Sequence, residues 1–372
     1  MTGSGDKQKT LLSVFSTFAV GGPQVRFAQI ANHFGRRYRH VVAAMDNVFD
    51  CAAQLKPNLD VQLLSLEFHK GKTFDNRRRF RKLLESIRPD CLVTNNWGTI
   101  EWGFANWPHL VRHIHIEDGF GPEEVDRQLP RRALTRRIVL CGSTIVVPSR
   151  QLQLMATQVW KLNCQRVLYV PNGVDCARFS KSGIEPLVAR DGTPTIGTVA
   201  ALRREKNLSR LLDAFRMIRE GRSCRLVIAG DGPERSALET HANNLGLAND
   251  VVFTGYTRDT ERVYSGIDVF MLSSDTEQMP TSVLEAMAAG LPIVSTSVGD
   301  VAAMVAQENS SFVVPKEATA LARAATKLLE DDKLRLSVGR ANQVRVATEF
   351  AQDRMIATYG SLFDGAPQVA RH

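Results

Sequence analysis

The 372-residue sequence has no Cys-x-x-Cys pair, no Asp-x-Asp triplet and no long apolar run. Its six cysteines, Cys51, Cys91, Cys141, Cys164, Cys176 and Cys224, are scattered along the chain, which excludes a zinc site or a disulfide framework and predicts free thiols in a reducing cytosol. No segment reaches the roughly 18 apolar residues of a membrane span. The N-terminal "DKQKTLLSVFSTFAVGG" has the basic start and apolar stretch of a signal peptide. No small-x-small cleavage site follows, however, and the run leads into Gly21, Gly22 and Pro23, so it reads as a buried first strand. Internal repeats at solenoid spacing and low-complexity tracts are absent.

The length exceeds one ordinary core and predicts two domains, and 44% apolar residues place the chain among globular proteins. The charge is uneven. Residues 1–185 carry 26 Lys and Arg against 16 Asp and Glu, and the remainder carries 21 against 23, so the whole excess lies in the first half. Such a distribution predicts an anionic partner surface, either nucleic acid or phospholipid headgroups.

Short apolar runs alternate with amphipathic segments nearly from end to end. "LLSVF", "HVVAAM", "VQLLSL", "DCLVTN", "VRHIHI" and "TIVVPS" read as strands in the first half, and "TIGTVA", "RLVIAG", "VVFTG", "DVFMLS" and "PIVST" in the second. Helical stretches such as "NLSRLLDAFRMIREG" and "TALARAATKLLEDD" lie between them. This βαβα rhythm predicts an α/β chain of two doubly wound parallel-sheet domains facing across a cleft, with ligands at the carboxyl ends of strands. Turn residues replace periodic ones over residues 170–194, which sets the expected domains at 1–178 and 179–349. A last amphipathic helix over 350–366 is expected to cross back to the first domain.

One stretch, "SSDTEQMPTSVLEAMAAGLPIVST", sets Glu277 and Glu285 eight positions apart, about 80° out of alignment on a helix, so a single helix face does not explain the pair. Pro280 instead predicts that Glu277 lies in a loop, that Pro280 starts a helix, and that Thr281, Ser282 and Glu285 fill its first two turns. The loose N–H groups of a helix start bind phosphate, whereas carboxylates there suit neighbouring hydroxyls. A nucleotide-sugar offers both chemistries. Either glutamate alone reads as an ordinary loop or helix charge; their setting after a strand favours a site.

The Glu277/Glu285 spacing, "VPNGVD" at 170–175, "LRREKN" at 202–207, "AGDGPE" at 229–234 and the early Gly21-Gly22 loop together resemble the retaining glycosyltransferases of family 4, over about residues 12–360. The resemblance implies the GT-B architecture of two Rossmann-like domains, the first taking the acceptor and the second the sugar nucleotide. It further implies that Glu285 binds the ribose hydroxyls and Glu277 the transferred sugar. Where the family usually has Gly-Arg this chain has Ala200-Ala201; Arg203 is the expected substitute for the absent arginine, and Lys206 matches directly. These two cations would neutralise charge developing on the diphosphate leaving group, so that no metal is expected.

Gly21 and Gly22 would let backbone approach the diphosphate or sugar, although a glycine pair is also common strand-to-helix punctuation. The family often has a histidine near "HIHIEDGFGPEE" that contacts the donor sugar, a role open here to His115 or Asp118. Alternation puts His113, His115 and Glu117 on one face, which equally fits a structural histidine. Tyr256, after "VVFTG", is a candidate for packing near the base. The helix "FDNRRRFRKLLESIRPD" presents Arg77, Arg78, Arg79, Arg81 and Lys82; it either packs its apolar stripe on the sheet or lies on anionic lipid, and "RRALTRR" at 131–137 adds to the same half. The tryptophans of "NNWGTIEWGFANW" read as core packing.

Taken with these residues, the resemblance implies a metal-independent, retaining transfer of a sugar from a UDP- or GDP-linked donor to a lipid, lipid-linked or saccharide acceptor. The protein is expected to be cytoplasmic and peripheral on the inner face of the cytoplasmic membrane. A nucleotide-sugar epimerase of the same fold is disfavoured by the glutamate pair. A nucleic-acid-binding protein on an inactive scaffold would leave Glu277, Glu285 and Lys206 without use, and no nucleic-acid recognition motif is present.

Overall fold

The computed structural model describes residues 8–120, 124, 128–179 and 183–366. These form two compact units, one of residues 1–171 with 356–372 and one of residues 172–355, where the sequence reading places its divisions at 178/179 and 349/350.

The first unit alternates β1 (Lys9–Phe15), α1 (Gly22–Phe34), β2 (Tyr38–Ala44), β3 (Val61–Leu64), α2 (Thr73–Ile87), β4 (Cys91–Asn95), α3 (Ile100–Ala105), β5 (Arg112–Ile116), α4 (Pro130–Val139), β6 (Thr144–Val147), α5 (Arg150–Gln158) and β7 (Val167–Tyr169). Its seven strands are parallel in the order β3-β2-β1-β4-β5-β6-β7. A strand buried on both faces is apolar without alternation, as Leu11, Leu12, Val14 and Phe15 of β1 are. Leu12 and Val14 pack with Phe80 and Leu84 of α2 and Trp102 of α3, while Phe15 packs with Val25 and Phe27 of α1.

The second unit runs β8 (Thr195–Val199), α6 (Leu208–Arg219), β9 (Arg225–Ala229), α7 (Arg235–Asn244), β10 (Val251–Gly255), α8 (Thr260–Ser265), β11 (Val269–Leu272), α9 (Thr281–Ala288), β12 (Ile293–Thr296), α10 (Val301–Met304), β13 (Val313–Val314), α11 (Ala318–Glu330) and α12 (Asp332–Glu349). Its strands are parallel in the order β10-β9-β8-β11-β12-β13. In α6 the apolar residues Leu208, Leu211, Leu212, Phe215 and Ile218 recur at helical spacing and are buried, and the Asn207 side chain caps the helix by accepting from Arg210 N.

The last helix, expected over residues 350–366, covers residues 352–364 and is set off from α12. Phe350 and Ala351 separate the two, and Ala351 bridges to Val174 before α13 (Gln352–Asp364) begins. From Ile356 onward α13 belongs to the first unit, where the Asp364 carboxylate accepts from Arg37 at 2.6 Å and from Tyr38 Oη at 3.0 Å.

Candidate functional site

In the second unit the strand order reverses between β8 and β11, which are neighbours. Ligands of open parallel sheets bind at such a switch point, beyond the carboxyl ends of the strands. The loop after β8 carries Lys206 and the loop after β11 carries Glu277, and here the two meet: Lys206 Nζ donates to Glu277 Oε1 at 2.6 Å, and Ser274 Oγ donates to the same oxygen at 2.8 Å. Two donors on one oxygen fix the carboxylate's direction.

Both loops are braced. Asn207 Nδ2 and Arg210 donate to the Asp275 carboxylate at 3.0 and 2.7 Å, Ser273 Oγ donates to the Lys206 carbonyl, and Asp275 N donates to the Glu205 carbonyl. Asn172, from "VPNGVD", donates through Nδ2 to the Met279 carbonyl at 3.0 Å. Two glycines allow close backbone approaches. A Cβ on Gly230 (φ +140°) would strike the Ala200 carbonyl, and one on Gly299 (φ +49°) would lie 2.5 Å from the Glu277 carbonyl and 2.4 Å from that of Gln278.

Pro280 precedes α9 instead of starting it. With φ −68° and ψ 120° it is extended, occupies the N-cap and offers no side-chain cap, so Thr281 is the first helical residue. Thr281 is exposed and Ser282 partly buried, and the unfilled N–H groups of this first turn suit an anion. Glu285, one turn deeper, accepts from Tyr264 Oη at 2.9 Å. Burial pushes the Glu285 carboxyl up to about 7, against the lowering influence of the Tyr264 hydrogen bond and of Arg178, which is itself paired with Glu261 at 2.7 Å. The fully buried Tyr264 phenol is pushed well above its ordinary range, first by burial and then by Glu285. Neither Tyr264 nor Gly299 was picked out from the sequence.

Arg203 is exposed, and its side chain has no hydrogen-bond or ion-pair partner among the described residues. Tyr256 follows β10, two strands away from β8, and is 58% exposed.

In the first unit Gly21 caps α1 in extended conformation, with Pro23 in the first turn, and a Cβ on Gly22 would meet nothing within 4 Å. Neither glycine needs left-handed backbone; the open space above Gly22 is what fits a close approach. His115 is fully buried, 2.8 Å from Thr94 Oγ1 and 3.5 Å from Glu117 Oε2. His113 shares the same threonine, and burial first and its neighbour His115 second hold its pKa well below the ordinary value. Below this strand end Arg136 reaches Glu117 at 3.3 Å and Glu124 at 3.1 Å, stacked 4.5 Å from the Trp160 ring. Asp118 lies beyond β5 with both carboxylate oxygens taken by Arg26, at 2.6 and 2.8 Å. Burial of Arg26 works to lower its pKa, and the paired Asp118, with Tyr359, outweighs that and holds it above the ordinary arginine value. Sequence reading passed over Arg26 because one arginine among a helix's polar positions carries no distinguishing signal.

The basic helix α2 differs in part from the lipid-facing reading. Arg77 and Arg81 turn toward the segment after α3 and donate to the Trp107 carbonyl at 3.4 and 3.2 Å, because the carbonyls beyond the end of α3 lack helical partners. Arg79 pairs with Glu67. Arg78 and Lys82 stay exposed, with no ion pair among the described residues. Among the tryptophans, Trp102 is buried as expected, whereas Trp107 is 47% exposed.

Residues 182–345 match the family model described as glycosyl transferases group 1, and residues 20–178 match glycosyltransferase family 4. The 2-deoxystreptamine glucosyltransferase of Streptomyces kanamyceticus is 31% identical over 50% of this chain and 51% of its own length. The alpha-monoglucosyldiacylglycerol synthase of Streptococcus pneumoniae is 30% identical over 34% of this chain and 31% of its own. The chain thus spans about half or less of these relatives. Among solved structures, Anabaena HepE in complex with UDP and glucose superimposes with a TM-score of 0.82 at 17% identity, covering 96% of this chain and 100% of that one. WaaG, a glycosyltransferase involved in lipopolysaccharide biosynthesis, gives 0.74 at 16% identity, covering 96% of this chain and 100% of that one. With glycosyltransferase models matching both halves and the two-sheet GT-B pattern running through 96% of its length, this chain belongs to the glycosyltransferases of family 4.

Proposed function

We propose that the protein transfers a glycosyl group, with retention and without a metal ion, from a nucleoside diphosphate sugar to a lipid, lipid-linked or saccharide acceptor. The observation that carries this reading is the contact of Lys206 with Glu277 at the β8/β11 switch point, next to the open first turn of α9. In the proposed complex the diphosphate lies at that turn, Glu285 takes the ribose hydroxyls, and Glu277 takes hydroxyls of the transferred sugar. Lys206 and the exposed Arg203 are cations available to the leaving diphosphate, and their fixed charge replaces an ion. UDP is the favoured nucleotide because the solved neighbours include HepE bound to UDP and to UDP-glucose. The acceptor is assigned to the first unit. No helix of the described residues is long and apolar enough to cross a membrane, and a peripheral location on the cytoplasmic face accompanies this reading.

Thermal shift with UDP, GDP and their sugar conjugates tests the donor. Stabilisation of about 2.7 kcal/mol is expected near 100 times the dissociation constant. It should be lost in Glu285→Ala. Absence of any shift with all diphosphates would defeat the reading, and an inverted anomeric product would defeat retention.

A further inference from the structure

We propose that the side of the first unit formed by α2, α3 and α4 is a docking face for an anionic lipid bilayer. The inference deepens the location given above and does not depend on the donor chemistry.

Large apolar side chains exposed singly are ordinary; several on adjacent elements mark an interaction surface. Phe74 at the start of α2 is 79% exposed, and Leu134 and Ile138, one turn apart on α4, are 56% and 57% exposed. Trp107 and Leu110, in the segment after α3, are also exposed. The three helices are neighbours. The Phe74 ring packs edge-on against Phe104 of α3, with centroids 6.4 Å apart, while Arg77 and Arg81 hold the Trp107 carbonyl to α2. Ile100 and Phe104 pack in one cluster with Val139 of α4. Around the axis of α4, Leu134 and Ile138 each stand about 160° from the buried Arg136, on the helix's exposed side.

Cations accompany these side chains. Arg78 and Lys82 follow Phe74 by one and two turns, and Arg131 and Arg137 flank the Leu134/Ile138 pair. All four are exposed and lack an ion pair among the described residues. Of the nearby carboxylates, Glu101 accepts from Thr73 and Asn76, Glu85 pairs with Arg81, and Asp75 sits in the first turn of α2. Nucleic acid would use the cations and leave five apolar side chains in water. A bilayer uses both, the rings and aliphatic groups at headgroup depth and the cations on lipid phosphates. No helix among the described residues is long and apolar enough to cross a bilayer, so the proposed contact is one with its surface.

The test is co-sedimentation of the full chain with phosphatidylglycerol-containing vesicles and with phosphatidylcholine vesicles, at low and high salt. The variants are Leu134→Ser/Ile138→Ser and Arg78→Gln/Lys82→Gln, with melting temperature and UDP shift followed in parallel. Wild type is expected to bind the anionic vesicles and to release as salt rises. The charge variant should lose about five-fold per cation at low salt and little at high salt, following the attraction of anionic lipid for each surface Lys or Arg. The apolar variant should lose binding at both. Unchanged melting temperatures show that the fold is intact, and a missing UDP shift with vesicle binding retained would fail the donor reading alone. Docking is overturned if wild type ignores anionic vesicles at low salt, or if both variants bind like wild type. It is equally overturned if the apolar substitutions abolish self-association in sedimentation velocity in place of vesicle binding, or if an oligonucleotide is retained in their presence.

Discussion

Tyr264 Oη donates to Glu285 Oε2 across 2.9 Å, so the carboxylate assigned to the ribose is held from behind by a fully buried phenol. The pair makes stability depend on pH. The Glu285 carboxyl stands at about 7 in the folded protein against an ordinary 4.5, so the folded state holds the proton more tightly than the unfolded chain. Its contribution is greatest below 4.5, declines as pH rises, and is lost above about 7. Glu285→Gln should therefore melt like wild type near pH 5. Near pH 8.5 it should melt higher, by an amount on the order of 1 to 3 kcal/mol. Equal melting differences at both pH values would contradict the burial of the charge.

Binding should run the opposite way. Ribose hydroxyls donate to the ionised carboxylate, so affinity for a nucleotide-sugar, whose diphosphate has no further ionisation near neutrality, should rise with pH through about 7. Tyr264→Phe removes a hydrogen bond that lowers the carboxyl's pKa, and the rise should move to higher pH while kcat stays near wild type. Calorimetric titration between pH 6 and 8.5 measures both. A profile that is flat in wild type, or unmoved in the phenylalanine variant, would refute the assignment of Glu285.

Lys206 and Glu277 should behave as a unit. Glu277→Ala is expected to lower kcat mainly and Glu285→Ala to raise KM mainly, because the ring changes shape and charge in the transition state and the ribose does not. Lys206→Ala should cost at least about a hundredfold in rate, near 2.7 kcal/mol. The double variant should lose less than the product of the single losses, since the two side chains touch at 2.6 Å. Arg203→Ala should also slow turnover strongly, and activity should survive a chelator; loss of activity in chelator alone would end the metal-free mechanism.

The Arg26–Asp118 pair predicts that substitution of Asp118 acts first on stability. Asp118→Ala removes the bidentate carboxylate partner of a buried guanidinium and should destabilise by about 3 to 5 kcal/mol, whereas Arg26→Met/Asp118→Leu should recover much of the loss. Denaturant unfolding of the single and double variants measures this. A stable Asp118→Ala with only kcat reduced would instead give the carboxylate a direct role on the sugar.

Much of this was legible in sequence because parallel strands and their following loops are written locally. The apolar runs, the early glycine loop and the glutamate spacing each occupy one short segment. What escaped depends on contacts between distant segments or on direction. Lys206 and Glu277 are 71 positions apart and Arg26 and Asp118 are 92 apart, so their pairing is visible only once β11 lies beside β8 and β5 stands near α1. Periodicity put His113 and His115 on one face but could not tell that the face is buried. Nor could it tell which arginines of α2 turn toward the carbonyls after α3. The strands β7 and β13, three and two residues long, are too short for any pattern.

Gly299 supplies the most local test of the site. It lies in the turn after β12 and passes against the backbone of the loop that carries Glu277, where Asp300 N donates to the Gln278 carbonyl at 2.9 Å. Gly299→Ala meets two obstacles, a left-handed φ of +49° and a Cβ 2.5 Å from the Glu277 carbonyl. The first costs about 1 to 2 kcal/mol for any residue with a Cβ. The second is relieved only by shifting the loop, and small misplacements of a positioning group reduce rate steeply. Gly192→Ala separates the two effects, because that glycine has φ +87° and nothing within 4 Å of a built Cβ. Both variants should lose stability. Only Gly299→Ala should lose about tenfold or more in kcat, with nucleotide affinity nearly kept because Tyr264 still holds Glu285. If the two alanine variants turn over equally well, the Gly299 contact does not position Glu277, and the carboxylate's geometry must rest on Lys206 and Ser274 alone.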